Sequence, residues 1–190
     1  KTGYKKFKAF KNENIELPDA YGLTYLKKGY EKIDFSFKDL QGNLVSLKDP
    51  RYQNKVVVVQ ILGTWCPNCM DETRFLADWY RKNKHRGVEI IGLAYERKPD
   101  FAYAKSRVQK MKELMGVDYE VLIAGVATTE SASESLPMLN QIISFPTSIV
   151  IDKKGSVRKI HTGFNGPATG KYYDDFVQEF NNLMDTLLKE

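Results

Sequence analysis

Two cysteines and two histidines are all that this 190-residue chain offers for disulfide cross-linking or soft-metal ligation. That scarcity excludes a disulfide-stapled scaffold and leaves too few ligands at suitable spacing for a structural zinc site, which takes four Cys or His. No run approaches the ~20 apolar residues of a membrane-spanning helix. No internal repeat, low-complexity block or arginine-rich stripe interrupts the chain. The net charge is only +5, and five of the lysines (Lys1, Lys5, Lys6, Lys8 and Lys11) crowd the first eleven residues. That cluster is expected to be a solvated terminus rather than a nucleic-acid or membrane contact. The sequence starts at Lys1 rather than Met, so a processed or trimmed product is expected, with a membrane tether possible upstream.

A chain of this length buries a substantial core without staples, so its cysteines are free for chemistry. They lie together, as Cys66-Pro67-Asn68-Cys69. A bridge across so small a loop constrains the unfolded chain weakly, which favours a reactive over a structural role.

Periodicity gives the frame. Residues 33–37 and 44–47 alternate as a hairpin around Gly42. Residues 56–62 are almost continuously apolar, as in a strand buried on both faces. A helix is predicted from Pro67 into the low eighties, then a strand at 88–94, a helix at 99–114 ended by Gly116, and a strand at 119–123. The polar stretch 127–134 is predicted as a loop leading into a short helix at 136–142. A strand at 147–151, a turn at 152–155, a partner strand at 156–161 and an amphipathic helix at 170–188 complete the chain. Strands alternating with helices imply an α/β fold, a sheet with helices on both faces. The expected division is an irregular N-terminal extension, 1–32, and one domain, 33–190.

Dithiol exchange needs an exposed thiol of lowered pKa and a second thiol near enough to resolve the mixed disulfide. Cys66 falls where a strand runs into a helix, so the unpaired N–H groups and dipole of the first turn favour its thiolate. Cys69 lies about one turn inside. Cys66 is therefore the expected nucleophile and Cys69 the resolving thiol. Glu72 shares a helix face with Cys69; it is either the acceptor of the Cys69 proton or an ordinary first-turn acid. Asp71 points elsewhere and is read as solvated. Trp65 is either a shield and docking surface for the pair or a core aromatic. Pro146, in Phe145-Pro146-Thr147, is either a simple proline at the start of a strand or the site of a cis peptide.

Trp65-Cys66-Pro67-Asn68-Cys69 followed by Glu72, with Ser144-Phe145-Pro146-Thr147-Ser148-Ile149-Val150-Ile151-Asp152 downstream, resembles the TlpA/ResA branch of the thioredoxin superfamily over residues 33–188. The resemblance implies a thioredoxin-like fold: a central mixed sheet with helices on both faces, an N-terminal β-hairpin, and an inserted helix and strand around residues 99–123. It implies an extracytoplasmic thiol–disulfide oxidoreductase, more a reductase than an oxidase. The implied partners are protein thiols and disulfides and an upstream thiol–disulfide donor. No cofactor, metal or nucleic acid is expected, and the helix from about Gly170 is expected to pack on its own sheet rather than on a second subunit, giving a monomer. The resemblance carries the nucleophile onto Cys66, its partner onto Cys69, an active-site glutamate onto Glu72, and a cis-proline beside the disulfide onto Pro146. Phe145 would tune potential and substrate fit. Two departures stand out. Pro67-Asn68 replaces the Gly-Pro of thioredoxins, and Gln60 stands where thioredoxin has a buried aspartate, which shifts any proton-accepting role toward Glu72.

Two other chemistries compete. A thiol peroxidase would carry Pro-x-x-x-Thr-x-x-Cys, but Gly63 stands at the Thr position. A copper module would combine Cys66 and Cys69 with a distant histidine; His161 is the candidate, although it is expected on the surface of a hairpin strand. A docking domain with a relic cysteine pair is the non-catalytic alternative.

Overall fold

The computed structural model describes residues 22–190, so the lysine cluster and most of the predicted extension lie outside the described residues. Seven strands form one sheet: β1 (Ser36–Lys38), β2 (Leu44–Ser46), β3 (Val56–Leu62), β4 (Val88–Glu96), β5 (Glu120–Val126), β6 (Thr147–Ile151) and β7 (Val157–Thr162). Their order is β2-β1-β5-β4-β3-β6-β7. β3, β4 and β5 run parallel, whereas β6, β7 and the β1–β2 hairpin pair antiparallel. The helices are α1 (Pro67–Asn83), α2 (Phe101–Met115), α3 (Thr129–Ser135) and α4 (Lys171–Lys189).

The sequence Val-Val-Val-Val-Gln-Ile-Leu makes β3 the centre of this sheet, because β-branched residues suit a pleated surface and every one of its side chains is buried. Alternation along the strand divides the core into two layers. Val56, Val58 and Leu62 face α1, α2 and α4, meeting Leu76, Val108 and Met184. Val57, Val59 and Ile61 face the opposite layer, which Leu136, Leu139 and Ile142 fill with Ile33 and Phe35. α1 and α2 share one face, since β3, β4 and β5 step in one direction and right-handed crossovers then fall on one side; α4, which follows β7, packs into the same core layer. α4 buries Phe176, Phe180, Met184 and Leu187 at spacings of three and four, as its amphipathic pattern requires. Gly116, with φ +61°, ends α2 in the left-handed conformation.

One predicted element is misplaced. The helix lies at Thr129–Ser135, within the stretch read as a loop, and residues 136–142 are irregular. Thr128 Oγ1 caps it by accepting from Ser131 N at 3.1 Å. Pro137 stops it, because the residue before a proline is pushed out of the helical region; Leu136 has φ −126° and ψ 64°. Leu136, Leu139 and Ile142 mimic helical spacing but form a buried irregular plug. That plug is pinned by the segment preceding β1: Lys27 N donates to Met138 O and Asn140 N to Tyr25 O, both at 2.9 Å.

β4 and β5 also run past their predicted ends, to Glu96 and Val126. This carries Tyr95 and Glu96 up to the cysteine loop. Among the described residues no helix is long and apolar enough to cross a membrane.

Candidate active site

The cysteine pair sits where β3 gives way to α1. Cys66 is the N-cap residue, extended at φ −98° and ψ 116°, and its sulfur accepts from Cys69 N at 3.3 Å. Pro67 occupies the first turn, where a missing N–H is harmless. Both cysteines are reduced. Cys66 is 7% exposed and Cys69 is 0% exposed, so of the pair only Cys66 meets solvent.

This asymmetry carries into their acidity. The Cys69 thiol hydrogen-bonds to Cys66, and with the N–H groups of Cys69 and Asn68 it lowers the Cys66 pKa to about 6 against the opposing effect of burial. The same hydrogen bond, then burial and the charges of Cys66 and Glu72, push the Cys69 thiol far up. One thiolate stabilised by a neighbouring thiol is the state this geometry favours.

Glu72, three residues further along α1, faces inward and is 1% exposed. Burial raises its pKa to about 7, with hydrogen bonds from Gln60 and Ser148 opposing and the Cys66 charge adding to the rise. Gln60 Nε2 donates to Glu72 Oε2 at 2.8 Å. The Gln60 carbonyl in turn accepts from Thr73 Oγ1 and from the Tyr119 hydroxyl, each at 3.3 Å. Gln60 therefore holds the carboxylate rather than acting as a base. Glu72 Oε1 has no hydrogen-bond partner. Asp71, by contrast, points outward and pairs with Arg74 at 2.9 Å.

The segment before β6 closes the other side. The Phe145–Pro146 peptide is cis, and Phe145 O lies 3.6 Å from Cys66 Sγ, placed to accept from the protonated thiol. Trp65 packs edge-on against Phe145, with ring centroids 5.6 Å apart, and donates its indole N–H to Tyr95 O at 2.9 Å. The Arg97 guanidinium lies 5.7 Å from the Trp65 ring centroid. Trp65 is thus half-buried, walling the cysteine loop while packing against the core. Cys66, Cys69, Glu72, Trp65, Phe145 and Pro146 all meet within this one region.

Three residues here were not singled out from the sequence. Glu96 is fully buried and accepts from Thr64 N at 2.8 Å and Thr64 Oγ1 at 2.9 Å, which fixes the loop carrying Trp65 and Cys66. Ser148 sits beside Gln60 in the β3–β6 register. Tyr119 backs Gln60. Their polarity at inward-facing strand positions is the signal that identifies Glu96 and Ser148; Tyr119 carries no such mark.

His161 departs from expectation. It is only 9% exposed and packs on the Phe176 ring with centroids 5.3 Å apart, because α4 covers β7 there. Among the described residues no group of three or more His, Cys, Asp or Glu side chains is gathered to hold a metal. His161 and the cysteine pair therefore do not form the set a copper module needs.

A mixed sheet carrying a reduced Cys-x-x-Cys pair at the first turn of a helix, beside a cis-proline, defines a thioredoxin-like dithiol protein. Comparison with known proteins agrees. Residues 27–175 match the Redoxin family. The thiol–disulfide oxidoreductase ResA of Geobacillus kaustophilus is 31% identical over 140 residues, covering 74% of this chain and 72% of that protein. ResA of Bacillus subtilis is 26% identical over 163 residues, covering 86% and 79%. Among solved structures, a secreted thiol–disulfide isomerase from Corynebacterium glutamicum has a TM-score of 0.65 at 18% identity, covering 92% of this chain and 97% of its own. A thiol:disulfide interchange protein from Chlorobium tepidum has a TM-score of 0.60 at 21% identity, covering 85% and 98%. The chain belongs to the Redoxin family and, within it, to the TlpA/ResA-like thiol–disulfide oxidoreductases.

Proposed function

We propose that this protein reduces disulfides in other proteins outside the cytoplasm, with Cys66 as nucleophile, Cys69 as resolving thiol and Glu72 as acceptor of the Cys69 proton. The observation that carries the reading is the asymmetric pair: a reachable sulfur held toward the thiolate by an unreachable thiol, with a buried carboxylate beside it.

The Cys66 thiolate attacks one sulfur of a substrate disulfide, and the substrate's other sulfur leaves as a thiolate that takes a proton from solvent. Cys69 then gives its proton to Glu72 and attacks Cys66. A Cys66–Cys69 disulfide forms, the second substrate thiolate departs, and two electrons have passed to the substrate. An upstream thiol–disulfide donor restores the dithiol. Trp65, Phe145 and Pro146 form the surface against which the substrate segment rests.

The reducing direction draws on two supports. The family resemblance points to a reductase. In addition, a Cys66 pKa of about 6 lies nearer the value of thioredoxin, about 7, than that of the oxidant DsbA, about 3.5; strong oxidants owe their potential to a stabilised reduced form. The extracytoplasmic setting rests on the resemblance alone.

Equilibration with glutathione or dithiothreitol tests the direction. A potential near about −250 mV or below supports a reductase, and one near about −120 mV replaces it with an oxidase. For the residues, Cys66→Ser should abolish turnover and Cys69→Ser should trap mixed disulfides. Glu72→Gln should slow the attack of Cys69 by roughly 100-fold. Normal disulfide reduction by Cys66→Ser would overturn the reading.

A further inference from the structure

Glu72 is sealed from solvent, so a proton it takes from Cys69 has to leave through the protein. Toward β3 the way is closed. Gln60 presents an amide donor to the carboxylate, and Tyr119 behind it is 2% exposed, its ring packed edge-on against that of Tyr80. Toward β6 it is open. Ser148, the direct partner of Gln60 across β3 and β6, lies near enough to Glu72 for its hydroxyl to favour the carboxylate. Gln60, Ser148 and His161 are direct partners across β3, β6 and β7, so their side chains form one polar row on the face covered by α1 and α4.

Ser148 and His161 line a cavity of about 20 Å³, with Lys159, Phe176, Glu179 and Phe180. A water molecule needs about 10–15 Å³ of such space and two to four polar partners, and this lining supplies both. The far end is charged and wet. Lys159 pairs with Glu179 at 3.1 Å, and their side chains are 30% and 52% exposed.

We propose that Ser148 is the proton gate of the dithiol centre, its hydroxyl passing protons between Glu72 and water in the cavity beside His161, which opens to bulk at Lys159 and Glu179. This rests on the reading of Glu72 as proton acceptor. In the outward step the Glu72 carboxylic acid gives its proton to Ser148 Oγ as the hydroxyl's own proton passes to the cavity water. That water releases one proton to bulk, and Ser148 stays neutral throughout. The reverse sequence returns a proton to Glu72 and then to Cys69 when the disulfide is re-reduced. The titratable or charged groups around the gate are Glu72 from α1, His161 and Lys159 from β7, and Glu179 from α4.

The test follows proton exchange at Glu72 with no substrate present. In the reduced full-length chain, a photolytic pH jump across the Glu72 midpoint of about 7 is followed by time-resolved infrared spectroscopy. The Glu72 carboxylic-acid band is the one missing in Glu72→Gln. Ser148→Ala should slow the rise of this band by about tenfold or more, measured at the variant's own midpoint, and Ser148→Thr, which keeps the hydroxyl, should restore it. His161→Phe, which fills the cavity, should slow it as well and decides the matter if Ser148→Ala does not fold. An unchanged rate in Ser148→Ala, or slowing that Ser148→Thr does not reverse, overturns the gate. Glu72→Gln leaving the attack of Cys69 unslowed overturns the acceptor reading instead, and that measurement is separate.

Discussion

Gln60 Nε2 and Glu72 Oε2 meet at 2.8 Å where β3 packs against α1, and neither residue reaches solvent. A primary amide anchored by Thr73 and Tyr119 thus holds a carboxylate in place without competing for its proton. Hydrogen bonds to a charged group contribute about 1.5–3 kcal/mol, so this contact governs how readily Glu72 ionises. Gln60→Leu removes a donor that favours the charged form. The Glu72 midpoint should therefore rise further, by about one unit, and the acidic limb of the pH–rate profile for Cys69 attack should move up with it. An unmoved limb would show that Gln60 serves packing alone.

Glu72 also makes stability depend on pH. Its midpoint is raised from 4.5 in an ordinary carboxyl to about 7, so between these values the folded chain binds a proton that the unfolded chain has lost. Stability is then full below about pH 4.5 and falls as pH rises toward 7, by on the order of 3 kcal/mol. The depressed Cys66 midpoint works in the opposite sense, adding stability to the reduced form as pH climbs from about 6 toward 9. Urea titrations of the reduced protein should show the fall, and Glu72→Gln should flatten it.

Gly63 leaves no room for a methyl group. A Cβ there would lie 2.2 Å from Trp65 Nε1 and 2.5 Å from Cε2. The indole is rigid and already hydrogen-bonded to Tyr95 O, so Gly63→Ala should dislodge it and cost about 1–3 kcal/mol. In a Trp79→Phe background the emission of Trp65 should shift to the red, with helix content unchanged by circular dichroism.

Glu96 anchors the same loop from the opposite side. Glu96→Ala leaves the Thr64 N–H and hydroxyl without their carboxylate acceptor, at a cost of about 2 kcal/mol. Cys66 should then react with iodoacetamide over a broader pH range centred above 6, as the loop loses its fixed geometry. A sharp, unshifted alkylation profile would argue that Glu96 supports the fold and leaves the cysteine untouched.

Much of this was legible in the sequence because it is local. The Val56–Leu62 run, the helical spacing of Phe176 through Leu187, and Cys66 at a strand–helix boundary each carry their own signal. The misplaced helix shows where local reading fails. Leu136, Leu139 and Ile142 repeat every three residues, but a first-turn proline permits a helix without dictating one, and burial of the plug decides its shape. His161 was read as a surface residue because its strand says nothing of the helix that covers it. The meeting of Gln60, Ser148 and Glu72 is a matter of register between distant strands, which no nearby pattern encodes.

The complete burial of Cys69 also constrains traffic. If Cys66 exchanges electrons with both a donor and a substrate protein, as proposed, the two must occupy the same doorway in turn. Turnover should follow double-displacement kinetics, with parallel lines in a double-reciprocal plot. Either partner in excess should inhibit the other, so on this reading flux follows the ratio of the two callers as much as their amounts.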